Sequence, residues 1–172
     1  MEVVEGIATV GDARFPDTDA FVAALDEIAA THDVTVQAFD ARYVVSERHL
    51  KRALELADRE RARGSGIARN RAVEILLYAA GRRQISRALE MGIDEGEMPA
   101  VVLVAADDTD ASDEAAAAAA VEELLTPAET LGEYDPERVR AFFDIGDAEL
   151  AATDASLADL VLERVALLVV ER

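Results

Sequence analysis

The sequence predicts an α+β fold in a single compact domain spanning residues 1–172, with a small mixed sheet flanked by several helices. Three observations predict it. The length, 172 residues, suits one core rather than two and lets roughly 70% of the unfolded surface be buried. Hydrophobic periodicity gives the order strand, helix, strand, three helices, strand. Everything after the third strand reads as helix, so sequential βαβ winding is not continued.

Residues 2–10 alternate, with Val4, Gly6, Ala8 and Val10 set against Val3, Glu5, Ile7 and Thr9, and read as a strand. After the turn GDARFPDTD, the spacing of Phe21, Leu25 and Ile28 predicts an amphipathic helix over 19–30. Val34, Val36 and Ala38 share a face of a strand over 33–39. Ser46 is placed to cap a helix over 47–63 whose stripe is Leu50, Ala53, Leu54 and Ala57, with Arg48, Lys51, Arg52, Arg59 and Arg63 towards solvent and Gly64 at its end.

The stretch NRAVEILLYAAG places Ala72, Ile75, Leu76 and Ala79 on one side of a central, buried helix that Gly81 closes. RRQISRALEMG adds a short helix with Ile85, Ala88 and Leu89 inward. The continuous apolar run from Val101 to Ala106 fits a strand buried on both faces. Ser112 and an acidic first turn start an alanine-rich helix over 110–125, which Pro127 stops. DPERVRAFF, with Pro136 in its first turn, and GDAELAAT are two further short helices. Ser156 with Asp159 makes a capping-box variant for a last helix with a broad apolar surface, and its end is compatible with a strand.

Composition narrows the chemistry. No cysteine, no tryptophan and two histidines exclude disulfide frameworks, cysteine-type zinc sites, thiol nucleophiles and most histidine chemistry. Net charge is −19, one lysine stands against 16 arginines, and there are 35 alanines. This is the composition of a protein kept soluble in very concentrated salt. With 51% apolar residues in clear periodic patterns, disorder is not expected. No apolar run approaches a membrane span and the N-terminus lacks a signal peptide's basic start, so a cytoplasmic protein without a membrane partner is expected.

The charge is segregated. Residues 42–87 hold 12 of the 17 basic residues and 5 acidic ones, a balance of +7, while the other 126 residues hold 5 basic and 31 acidic, a balance of −26. Two readings stay open: contact with phosphates, or pairing with carboxylates of this chain or a partner. The candidate RNA-binding set is Arg69, Arg71, Tyr78, Arg82, Arg83, Gln84 and Arg87. Its arginines are expected on one connected surface near the 64–66 turn, with Tyr78 and Gln84 near the surface and Ile75 and Leu76 in the core. Gln84 offers donors and acceptors to a base edge, and Tyr78 offers either a stacking face or core packing.

GSGIARNR resembles an anion nest, because a Gly-Ser-Gly turn entering a helix exposes backbone amides beside Arg69 and Arg71. It lacks the lysine and hydroxyl of a nucleotide-triphosphate loop. His49 and His32 read as solvated or core-edge residues. The tracts DDTDASDE and 17–19 do not match a calcium loop and read as solvated surface. No catalytic set, metal site or cofactor motif can be picked out, so an enzyme is not expected and no cofactor is.

The succession IAR, AVEILLYAAGRRQISRALEMGI, a strand and LVLERVAL, with the early EGIA strand and the DA, HL, A, A start of the 47–63 helix, resembles the small regulatory subunit of the archaeal-type KEOPS complex. The resemblance spans nearly the whole chain. It implies a non-catalytic subunit of the assembly that makes threonylcarbamoyladenosine beside the anticodon of tRNA. It further implies binding to a small atypical kinase/ATPase subunit, which holds the threonylcarbamoyl transferase subunit, and recruitment of tRNA through its 3′ CCA end. A stand-alone nucleic-acid-binding or regulatory module using the 42–87 surface is the competing reading. The C-terminal segment carries more apolar residues than one stripe can bury. Part is expected on the sheet, and Leu157, Leu160, Val161 and Leu168 are the candidate docking face for the kinase-like partner, the alternative being that the segment is surrounded by its own domain.

Overall fold

A computed structural model describes residues 1–107 and 111–170. In chain order its elements are β1 (Glu2–Val10), α1 (Thr18–His32), β2 (Val34–Asp40), α2 (Glu47–Ala62), α3 (Arg71–Ala80), α4 (Ile85–Ala88), β3 (Gly96–Ala106), α5 (Ala111–Glu122), β4 (Thr126–Pro127), α6 (Pro136–Phe143), α7 (Asp147–Ala151) and α8 (Leu157–Leu167). The fold is α+β. It divides into two compact units, Met1–Ala41 with Gly92–Thr130 and Arg42–Met91 with Leu131–Arg172.

The first unit holds the sheet, in the order β2-β3-β1-β4. Every pairing is antiparallel, so the sheet is not mixed as expected. The reason lies in α1, whose 15 residues, about 22 Å of helix, return the chain to the starting end of β1. β2 therefore runs parallel to β1, but β3 lies between them and pairs with both in the opposite sense. Asp17 caps α1 by accepting the Ala20 N–H at 2.8 Å, which gives the 17–19 acid tract a structural use. One face of the sheet, with Val4, Ala8, Val36, Val102 and Val104, packs under Phe21 and Leu25 of α1 and Ala117 and Val121 of α5. β3 is buried on both faces, as its apolar run predicts.

β4, two residues long, was not legible in the sequence. It is admitted by Gly6, where a Cβ would lie 2.7 Å from Leu125 Cβ and 2.8 Å from the Thr126 carbonyl. α5 ends at Glu122, three residues before the expected limit. Ser112 lies inside its first turn rather than ahead of it.

The second unit is helical. α3 packs on α2, α4 and α8, and α8 also packs on α2 and α6. Ser46 caps α2 as expected. The buried face of α2 runs through His49, Leu50, Ala53, Leu56, Ala57 and Glu60, so Leu56 takes the core position assigned to Leu54. α3 is buried continuously from Glu74 to Ala80 and closed by Gly81 at φ 61°. The expected 82–92 helix is broken: α4 passes into a tighter 3₁₀ turn, Leu89–Met91. That turn aligns Ala88 with Met91, three apart, inside the fold and leaves Leu89 58% exposed, while Ile85 is 49% exposed at the helix start. Both were expected inward.

α8 starts with the expected capping box: Ser156 Oγ accepts the Asp159 N–H and Asp159 Oδ2 accepts the Ser156 N–H. Beyond it the chain turns through 168–170, and no C-terminal strand forms among the described residues. Arg164 ties α6, α7 and α8 together, donating to the Phe143 and Asp144 carbonyls and, through both terminal nitrogens, to Glu149. That ion pair holds the Glu149 carboxyl below its usual range.

Candidate nucleic-acid interface

The turn between α2 and α3 is an anion nest, and it is already filled. The Ile67 N–H donates to both oxygens of the Glu74 carboxylate at 3.0 Å, and the Ala68 N–H donates to Oε2 at 2.6 Å. Glu74 is fully buried. From the other side the Arg61 guanidinium donates to the Ala68 and Arg69 carbonyls at 3.2 and 2.9 Å. The amides expected to meet an external phosphate are thus satisfied by an internal carboxylate. One signal for this stood in the sequence: Glu74 is the only charged residue between Ala72 and Ala80.

Arg71 is also committed. Its Nε and Nη2 donate to Asp58 Oδ1 and Oδ2, each at 2.8 Å, a two-pronged pair that fixes α3 against α2. Arg69 is exposed at the same end. Arg82, Arg83 and Arg87 follow the other end of α3, about 15 Å of helix away. The single connected surface near the 64–66 turn is therefore corrected to two separate groups.

The second group lines one depression. Gly81 closes α3 with its N–H on the Leu77 and Tyr78 carbonyls, and the Arg82 N–H returns to Leu77 O at 3.0 Å. This tight reversal lets Gly81, Arg82, Arg83, Gln84 and Arg87 line one open depression of about 250 Å³. Among the described residues no carboxylate lines it. The Arg82 guanidinium donates to the Phe142 carbonyl and lies 5.2 Å from that residue's ring centroid, which fixes its position at the rim. Arg83, Gln84 and Arg87 are exposed, and neither Arg83 nor Arg87 has an ion-pair partner among the described residues. Planar guanidinium forks held over an open concavity suit phosphate oxygens, and the Gln84 amide can donate and accept beside them. The exposed Ile85 and Leu89 belong to the same segment.

Tyr78 is not part of that surface. It is 1% exposed, and burial followed by the nearby Glu74 charge raises its hydroxyl pKa above the ordinary value. α3 is covered on more sides than one stripe requires, so the ring is core and offers no stacking face. His49 is likewise fully buried rather than at the core edge. Its Nε2 donates to the Ala79 carbonyl at 2.8 Å, its Nδ1 accepts the Val45 N–H at 3.3 Å, and the Phe143 ring lies 5.9 Å away. Burial lowers its pKa from 6.5 to about 4, with the bond to Ala79 opposing the shift.

The expected docking face on α8 is also corrected. Leu160, Val161 and Leu168 are at most 3% exposed and Leu157 is half-buried, because α8 packs on three other helices. What α8 leaves open lies at its end, where Leu167 is 39% and Val170 76% exposed. Among the described residues no group of acidic residues and histidines forms a metal site, and no helix is long and apolar enough to cross a membrane.

The family model for the kinase binding protein CGI-121 matches residues 18–168, and the chain belongs to that family. The match takes in every segment on which the resemblance rests except the EGIA strand, which precedes it. No individual curated protein matches the chain.

Proposed function

We propose that the protein is a non-catalytic subunit of a KEOPS-type tRNA threonylcarbamoyladenosine complex, in which it binds the atypical kinase/ATPase subunit and recruits tRNA through the 3′ CCA end. Family membership supports the kinase-binding half of this reading. The tRNA half is carried by one observation, the depression lined by Arg82, Arg83, Gln84 and Arg87 without a carboxylate in a chain of net charge −19. Holding a cationic concavity against that background favours phosphate as the occupant. The kinase-like partner is assigned to the exposed apolar end of α8, at Leu167 and Val170, in place of the buried residues.

The test compares three ligands at one salt concentration: intact tRNA, the same tRNA trimmed of its CCA end, and duplex DNA. The reading expects trimming to weaken binding by roughly tenfold, with duplex DNA weaker still. Equal binding of all three supports the stand-alone nucleic-acid module instead. Co-purification with the kinase/ATPase subunit tests the other half separately.

A further inference from the structure

The first unit carries a second surface, unrelated to the arginine depression. Val3, Val4 and Glu5, consecutive in β1, line an open groove of about 580 Å³ with Glu122, Glu129 and the intervening Pro127 turn. Successive side chains of a strand point to opposite faces, so three in a row reach one groove through the backbone edge. β3 covers the other edge of β1 in unbroken register from Glu2 to Val10. β4 pairs with this edge at Gly6 and Ile7. Past Pro127 the chain leaves the edge: the Thr130 N–H goes to the Glu5 carboxylate and its hydroxyl to the Ala100 carbonyl. Beyond Gly6 no strand among the described residues lies along Val3 and Val4 on that side.

We propose that this edge of β1 accepts an extended, basic peptide segment of a partner protein, which adds a strand beside Val3 and Val4. Backbone pairing supplies the register, and the groove's carboxylates select the side chains. Glu122 and Glu129 are exposed on the wall and no lysine or arginine lines the groove. The same charges argue against a second copy of this chain. Pairing two such edges would set each groove's carboxylates against its own kind, on chains of −19 each.

The test uses a short blocked peptide alternating valine and arginine, with a valine and glutamate peptide as control, and reads backbone amide exchange by NMR on the full chain. The arginine peptide at about 1 mM should slow exchange at Val3 roughly tenfold, and the control should not. Glu122→Gln with Glu129→Gln, both at exposed positions, should weaken the arginine peptide several-fold and leave the fold intact. No added protection at Val3, protection located elsewhere, or unchanged affinity in the double variant overturns the proposal. So does sedimentation as a dimer that disappears in a Val3→Pro variant, which assigns the edge to self-association.

Discussion

The Glu74 carboxylate accepts the Ala68 N–H at 2.6 Å from the first turn of the helix that the Ala68 loop introduces, so the loop and α3 specify each other. Glu74→Ala should destabilise the protein by about 2–4 kcal/mol, since it leaves two backbone donors without their acceptor and a void behind them. Glu74→Gln, which keeps the shape and one acceptor oxygen, should cost about half as much. Urea unfolding of both variants gives the comparison, and equal costs would show that the charge matters little to the nest.

Below pH 6.5 the protein should lose stability through His49. The native pKa of about 4 lies below the ordinary 6.5, so the unfolded chain binds the proton more tightly. The contribution is complete above pH 6.5 and is lost as pH falls towards 4, up to about 3 kcal/mol. The urea midpoint measured at pH 7 and pH 4.5 should differ more in the wild type than in His49→Gln. Parallel slopes would remove His49 as the cause.

Leu168→Glu should unfold the second unit, because it would bury a carboxylate at a side chain that is 1% exposed. Val170→Glu, at 76% exposure, should leave thermal stability within about 0.5 kcal/mol and reduce retention of the kinase/ATPase subunit in a pull-down. Full retention by folded Val170→Glu moves the docking face off the end of α8.

Arginines at the two ends of α3 should separate by assay. Arg83→Ala with Arg87→Ala should weaken tRNA binding, lower the salt dependence by about two units of slope and leave stability unchanged. Arg71→Ala should destabilise by about 1–3 kcal/mol, since it breaks the two-pronged pair with Asp58, and have little direct effect on tRNA. A loss of tRNA affinity confined to folded Arg71→Ala would reverse the assignment.

Gly6→Ala should cost about 1–3 kcal/mol, because the added methyl meets Leu125 and the Thr126 carbonyl at under 3 Å. Amide exchange at Ile7 should rise as β4 lifts away. Unaltered exchange would show that the 125–127 turn yields without leaving the strand.

What the sequence made legible was local. The alternation of β1, the apolar run of β3 and the caps Ser46 and Ser156 depend on neighbours a few residues apart, and each is where its pattern placed it. The arginine depression was half legible: Arg82, Arg83, Gln84 and Arg87 lie on one short segment and converge, whereas Arg69 and Arg71 required knowledge of how long α3 is. Tyr78 and Leu168 were misplaced for one reason. Periodicity says which residues share a face, and only the other helices decide how many faces are covered.

The filled nest closes one end of α3 to outside anions. A fully buried carboxylate carried on the same helix satisfies the Ile67 and Ala68 amides, so an outside anion could reach them only by displacing it. At the opposite end of α3, Arg83 and Arg87 are exposed and have no ion-pair partner among the described residues.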